Sequence, residues 1–177
     1  HTVSIFRSGI RQLLPEKVDL VSGPGCPVCV TPNEYMDTAV AYAKKENVII
    51  ATFGDMLKVP GTTSSLNKVK AEGADIRIIY SPLDALQIAK DNPDKQTIFL
   101  AVGFETTAPL TAATLQAADL QNISNFFVLS SHKRTDAPID ALLSDPQIKV
   151  DGFLLPGHVC VITGEKPFSF VAEKYKK

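Results

Sequence analysis

No apolar run in this 177-residue chain approaches the ~20 residues needed to cross a bilayer as a helix. An excess of charge is missing too. Eighteen Lys and Arg stand against 19 Asp and Glu, a net charge of −1, so nothing pulls at long range on nucleic acid or an anionic membrane. There is no Gly-x-Ser-x-Gly elbow, no Gly-x-x-x-x-Gly-Lys phosphate loop and no Gly-x-Gly-x-x-Gly fingerprint. Those absences remove the usual signatures of serine hydrolases, P-loop nucleotidases and dinucleotide enzymes. No segment resembles a secretory signal. Cysteine is scarce and odd in number, at three. That argues against a secreted disulfide framework and for a reducing cytoplasm. The chain opens on His1 instead of Met and ends on a helix-like run, Phe168 to Lys177, so a fragment of a longer protein is expected.

What is present is the composition of a globular protein, with 45% hydrophobic and 21% charged residues. At this length roughly 70% of the unfolded surface can be buried, so no disulfide staple is needed. Six short apolar runs read as strands: Val18–Ser22, Val48–Phe53, Ile76–Tyr80, Thr97–Gly103, Phe126–Ser131 and Gly152–Leu155. They are rich in Val, Ile, Leu and Phe without strict alternation. This suits parallel strands covered on both faces. Helical patterns lie at Pro32–Lys45, Thr63–Glu72, Pro82–Lys90, Ala108–Asp119, Pro138–Leu143 and Phe168–Lys176, with Val3–Leu13 as a further candidate. Thr31-Pro32-Asn33-Glu34 has the form of a capping box, and Ser81-Pro82-Leu83-Asp84 is a related start. Behind the first cap, Tyr35, Ala39 and Tyr42 line one side of a helix, while Met36, Val40 and Ala43 line an adjacent one.

The fold class expected is therefore α/β. Two small similar lobes are predicted, each a mainly parallel sheet flanked by helices, with a cleft between them. The polar stretch Lys90-Asp-Asn-Pro-Asp-Lys-Gln96 sets the boundary, giving a first lobe over 1–94 and a second over 95–177. A weak repeat supports the division. Ala51–Pro60 and Ala101–Pro109 both run strand, Phe/Gly pair, acid, proline, and their acids, Asp55 and Glu105, are 50 residues apart.

In open parallel sheets, ligands bind beyond the carboxyl ends of the strands, and the unusual residues map there. The richest stretch is Gly23-Pro24-Gly25-Cys26-Pro27-Val28-Cys29-Val30-Thr31-Pro32. Two thiols two residues apart can close a small disulfide or share one soft metal ion. A helix start just downstream favours the thiolate form. The plainer alternative is a pair of buried, unreactive cysteines. Structural zinc needs four ligands, and no second Cys-x-x-Cys or paired His supplies them. Asp55 follows the second predicted strand. Glu105, Thr106 and Thr107 follow the fourth, where the hydroxyls can cap a helix or meet a ligand. The plainer reading of both turns is an ordinary capped bend. His132 and Lys133 follow the fifth strand, and His158 and Cys160 the sixth. Each His is a candidate ligand or proton carrier, or a hydrogen-bonded structural residue. Cys160, inside Val159-Cys160-Val161-Ile162, reads as a small apolar residue.

Taken in order, His1-Thr2 with Ser8-Gly9-Ile10-Arg11, Gly23–Pro32, Thr52–Gly61, Gly103–Pro109, Ser131-His132-Lys133 and Asp151–Gly164 resemble the HypD family of NiFe-hydrogenase maturation proteins. The resemblance spans nearly the whole chain. It implies a scaffold that works with a HypC-type partner while iron acquires two cyanides and one carbon monoxide, the Fe(CN)2CO unit. A HypE-type protein, with HypF upstream, supplies the cyanide. It also implies two α/β lobes facing across a cleft, and a 4Fe–4S cluster held by a cysteine-rich C-terminal region that lies outside this chain. By position, Cys26 and Cys29 match the family's Cys-Pro-x-Cys pair, as a redox couple or as iron ligands. His1 matches the His of its Cys-Gly-Thr-His motif, an expected iron ligand, and that motif's leading cysteine is absent here. Glu105 and His132 are then expected in catalytic roles, and Asp55, Thr106, Thr107 and His158 in the lining of the cofactor site. Two departures stand out. Thr135-Asp136-Ala137-Pro138 replaces the family's Pro-Pro-Ala run, and Cys160 stands where serine is expected.

Two rival readings remain beside it. A general thiol–disulfide oxidoreductase resembling thioredoxin needs only Cys-Pro-x-Cys before a helix, but explains neither the Glu-Thr-Thr turn nor the His turns. A pure binding module would keep Cys26 and Cys29 as structural residues.

Overall fold

The structure, a computed structural model, describes residues 2–23 and 25–177. His1, the expected iron ligand, and Pro24 lie outside the described residues. Two short helices open the chain, α1 (Thr2–Arg7) and α2 (Ile10–Leu13). Then come α3 (Asn33–Ala43), β1 (Val48–Thr52), a 3-10 helix (Gly54–Lys58), α4 (Leu66–Ala71), β2 (Ile76–Ile78) and α5 (Pro82–Asp91). After these follow β3 (Gln96–Gly103), α6 (Ala108–Leu120), β4 (Phe126–His132), α7 (Asp136–Ser144), α8 (Gly157–Thr163), a second 3-10 turn (Lys166–Phe168) and α9 (Ser169–Glu173). No helix is long and apolar enough to cross a membrane among the described residues.

The four strands form one all-parallel sheet in the order β2-β1-β3-β4. This is the α/β class the apolar runs imply. Strand side chains alternate between faces, and the sheet is covered on both. Val48 and Ile50 of β1 with Ile98, Leu100 and Val102 of β3 pack with Met36, Ala39 and Val40 of α3 and Leu66 and Val69 of α4. Ala51, Phe99 and Ala101 face Ala85, Leu86 and Ala89 of α5 and Ala118 of α6. Burial on both faces explains why β1 and β3 read as unbroken apolar runs. Residue 94 lies between α5 and β3, and the sheet runs straight across it. Strands expected in two separate sheets are neighbours in one, with β1 paired to β3 from Val48↔Gln96 to Ala51↔Phe99.

Two expected strands are not formed. Val18–Ser22 and Gly152–Leu155 run outside the sheet. Val21 and Leu154 are 80% and 71% exposed, so these apolar runs have no facing layer to bury them as strands. A short apolar run does not by itself distinguish a strand from other buried or half-buried segments. After the second run, Pro156 starts α8 and Gly164, at φ 75°, ends it. That helix leaves Val161 and Ile162 exposed and carries Val159 and Cys160 into a satellite cluster. There Ile139, Val159, Phe168 and Val171 pack together with half-buried Cys160 alongside.

Helix starts divide in the same way. Ser81 caps α5 as expected, its hydroxyl accepting from Leu83 while the Asp84 carboxylate accepts from the N–H groups of Tyr80 and Ser81. At α3 the expected box is not made, because the Thr31 hydroxyl donates to the carbonyl of Pro27 at 2.9 Å. Thr31 therefore closes the cysteine turn instead of capping the helix. The buried face of α3 is otherwise as the spacing predicts, with Tyr35, Met36, Ala39, Val40 and Ala43 inside. Tyr42 stays half-buried under the Lys45 ammonium.

Candidate functional site

Strand order fixes where a ligand would sit. The chain leaves β1 toward β2 on one side and returns to β3 on the other, so the order reverses between β1 and β3. In parallel α/β sheets, the crevice at that reversal, beyond the carboxyl ends, is the usual binding place. Asp55 follows β1, Glu105 follows β3 and His132 ends β4, all on this edge.

The turn after β3 is tightly built. Strands β3 and β4 pair to their last residues, Gly103↔His132, and the Lys133 N–H donates to the Gly103 carbonyl at 2.8 Å. A Cβ at Gly103 would overlap the Thr107 hydroxyl and sit 3.3 Å from Cδ2 of His132. Glycine is required here for close approach, not for backbone angle. Thr107 precedes α6 without a side-chain cap, and its hydroxyl donates to the Phe104 carbonyl at 3.2 Å. Thr106 is half-buried and Thr107 exposed. Glu105 reaches across to the turn after β4. One carboxylate oxygen accepts the Thr135 N–H at 2.6 Å and the other accepts the Thr135 hydroxyl at 2.9 Å.

His132 is half-buried, with Nδ1 3.0 Å from the Ser130 hydroxyl. Burial holds its imidazole below the ordinary pKa, so the neutral ring dominates near pH 7. Lys133 folds its ammonium onto the Ser131 hydroxyl at 2.9 Å. Tyr35 ties α3 to this region, its hydroxyl donating to the Leu129 carbonyl at 2.7 Å, and burial pushes that phenol well above its usual pKa.

The cysteine turn lies outside the sheet, with Cys26 within electrostatic reach of Asp55 at this edge. Val28 packs against the α3-side core. Both thiols are free, Cys26 half-buried and Cys29 exposed. They are not equivalent. The Cys29 N–H donates to Cys26 Sγ at 3.2 Å. The Cys29 thiol donates as well, and together these pull Cys26 below the ordinary thiol range while pushing Cys29 up. Slight burial and the Asp55 carboxylate oppose the drop at Cys26. Cys26 is thus the more acidic thiol of the pair, and Asp55 is within electrostatic reach of it. Asp55 is exposed and makes no side-chain hydrogen bond among the described residues.

Of the residues singled out in the sequence, Cys26, Asp55, Glu105, Thr106, Thr107 and His132 belong to this edge, with Cys29 beside Cys26. His158 does not follow a strand. It is exposed on α8, in a groove shared with Ser4, Ile5, Ser8 and Ile10 of the opening helices. Sequence reading missed Thr135, Ser130 and Tyr35, whose partners are set by the fold. A polar Ser131-His132-Lys133-Arg134-Thr135 run after an apolar strand was the one local hint.

These features define a parallel α/β protein that gathers an asymmetric thiol pair, a carboxylate without a hydrogen-bond partner among the described residues, and a neutral histidine at one sheet edge. The chain belongs to the HypD family: the model described as "HypD: Hydrogenase formation hypA family" matches residues 1–177. It is 47% identical over 177 residues to a hydrogenase maturation factor HypD of Rhodobacter capsulatus, covering all of this chain and 47% of that one. Identity to the HypD of Escherichia coli K12 is 45% over 177 residues, again all of this chain and 48% of the relative. Against the HypD of Rhizobium leguminosarum bv. viciae it is 46% over 184 aligned positions, all of this chain and 48% of the relative. The chain therefore spans about half the length of these curated relatives.

Proposed function

We propose that this chain serves in hydrogenase maturation as the α/β core of a scaffold on which iron is carried while it gains cyanide and carbon monoxide. A HypC-type protein is its partner and a HypE-type protein the source of cyanide. The setting is the cytoplasm, in keeping with its free thiols. Iron is cargo in this reading, and Cys26 and Cys29 are the groups that handle it. The observation that carries the proposal is the thiol pair itself. A proline-rich stretch carries two free sulfurs, with Cys26 within electrostatic reach of Asp55 at the edge where the sheet order reverses, in a chain of the HypD family. Soft thiolate suits low-valent, cyanide-bearing iron. Two thiolates leave the remaining iron positions to the diatomic ligands and to a partner's cysteine.

The pair also suits a dithiol–disulfide cycle of two electrons and two protons, with Cys26 the attacking sulfur and Cys29 the resolving one. A 4Fe–4S cluster does not fit within this chain. Such a cluster takes four thiolates; the chain has three cysteines, and Cys160 lies on α8 in the satellite cluster.

Replacing Cys26 and Cys29 together by alanine in the full-length protein abolishes hydrogenase maturation, read as hydrogenase activity in a strain lacking the native copy. Normal maturation by that variant would sink the assignment. The thiol asymmetry also favours a second reading, a thioredoxin-like oxidoreductase. Robust insulin reduction by the isolated chain would support it, and turnover no better than free dithiol would dismiss it.

A further inference from the structure

Glu105 was expected to carry chemistry, yet both of its oxygens are engaged within the chain. The Thr135 N–H and hydroxyl take one each, at 2.6 and 2.9 Å. What this grip holds is the turn that leaves β4. Within three residues of Thr135 lies His132, whose Nδ1 meets Ser130 and whose Cδ2 edge lies against Gly103. The turn is pinned at both ends. Upstream, the Lys133 N–H is bound to the Gly103 carbonyl; downstream, Thr135 is bound to Glu105. With Nδ1 engaged and the Cδ2 edge packed, the other nitrogen, Nε2, is the one left for a ligand or a proton.

We propose that Glu105 is a positioning residue: by gripping Thr135 it locks the β4–α7 turn onto the β3–α6 turn and fixes the His132 imidazole, and it neither carries a proton nor ligates iron. This rests on the reading of the carboxyl edge as the working site. It also divides labour between the two acids that the sequence repeat pairs, leaving Asp55 as the one within reach of the thiols.

The discriminating variant is Glu105→Gln. Its Oε1 still accepts the Thr135 N–H, and its amide donates to the Thr135 hydroxyl, which accepts as readily as it donates. The clasp survives and the charge is lost. Glu105→Ala loses both. In the full-length protein, E105Q matures hydrogenase to within about threefold of the unchanged protein, while E105A falls by on the order of 10²-fold, the cost of a misplaced group. Thr135→Val, which removes the hydroxyl contact and keeps the N–H contact, falls between them.

A second readout does not depend on maturation. In this chain, the His132 ring is followed by NMR through a pH titration. In E105A the loosened turn admits water, and the His132 midpoint moves up toward that of an ordinary histidine. In E105Q it stays where it is, because burial and not the carboxylate sets it. Maturation by E105Q as poor as that of E105A would overturn the proposal. So would a His132 midpoint unmoved in both E105A and T135V. If E105A does not fold, E105Q and T135V decide the matter between them. Should the double cysteine variant mature normally while these shifts appear, the site assignment fails and the positioning role stands.

Discussion

The turns after β1 and β3 share a sequence grammar, and the fold uses them differently. Each pairs phenylalanine with glycine and then presents an acid, and the acids are 50 residues apart. After β3 the acid is spent as a clasp, Glu105 on Thr135. After β1 the acid makes no side-chain hydrogen bond among the described residues, and a clasp of the same form comes from elsewhere. Asp37 of α3 accepts the Thr62 N–H at 2.7 Å and the Thr62 hydroxyl at 2.6 Å, tying down the loop that follows the 3-10 helix. Asp37 does that job from outside the turn, and Asp55 keeps an exposed carboxylate within electrostatic reach of Cys26. Repeated sequence thus marks equivalent positions in the sheet without marking equivalent chemistry. What separates the two acids is the partner the fold supplies.

The largest predicted difference lies in the glycines. A methyl group at Gly103 would overlap Thr107 and crowd His132, whereas one at Gly54 would meet only Cγ2 of Ile78 at 3.7 Å, an ordinary contact. Gly103→Ala should therefore cost about 1–3 kcal/mol, the usual range for overpacking. Gly54→Ala should change stability by no more than about 0.5 kcal/mol, as at a position free of such conflicts. Urea unfolding of the two variants side by side measures the gap. Equal midpoints would mean that the two turns are equally roomy, and the comparison would lose its steric basis.

The next effect belongs to the thiols. Cys29 supplies the main hydrogen bond that stabilises the Cys26 thiolate. A depressed thiol pKa means that the thiolate is already present below the usual range and is lost only as pH falls through the depressed value. Cys29→Ala removes the sulfur donor and leaves the backbone N–H of residue 29 in place. The midpoint for alkylation of Cys26 by iodoacetamide should then move to higher pH, and its rate near pH 7 should fall several-fold. The reciprocal variant, Cys26→Ala, should bring the Cys29 midpoint down, because Cys26 is what raises it. A midpoint at Cys26 that ignores the loss of Cys29 would refute the asymmetry.

The layered α/β class, the four strands β1 to β4 and the helices α3 to α7 were legible because each puts apolar residues into the packed layers. The runs Val48–Phe53 and Thr97–Gly103 could read as unbroken apolar strands only if both faces were covered, and they are. Legibility failed where burial failed. Val18–Ser22 carries the composition of a strand, yet Val21 stays exposed and no strand pairs with it. Gly152–Leu155 misled in the same way, with Leu154 left exposed, and the Pro156 and Gly164 that follow bracket a helix the sequence reading did not assign. At the candidate site, the turns carrying these residues could be located in the sequence and their hydrogen-bond partners could not. Cys26 and Cys29 are local, so their turn could be read from spacing. Glu105 finds Thr135 thirty residues away through the pairing of β3 with β4, and Tyr35 finds Leu129 across 94 residues. Neither partner leaves a mark in local pattern. The single sheet running through residue 94 escaped for the same reason, since Asn-Pro and a polar run signal a loop without saying whether the next strand joins the same sheet.

The smallest predicted effect is the sharpest test of the two acids. The Asp55 carboxylate opposes ionisation of Cys26, and it is the weakest of the influences on that thiol. Glu105 has no part in setting it. Asp55→Asn removes the opposing charge without changing shape, so the Cys26 alkylation midpoint should move down and its rate near pH 7 should rise, by no more than about threefold for an exposed charge. The rise should shrink as salt is added, since screening acts on exposed charges beyond a Debye length of roughly 10 Å at 0.1 M. Glu105→Gln should leave both the rate and its salt dependence unchanged. If D55N and E105Q accelerate Cys26 equally, the two turns act on the thiol alike. If D55N alone does so, and only at low salt, then one acid of the pair is electrically joined to the thiolate and the other is joined mechanically to the histidine turn.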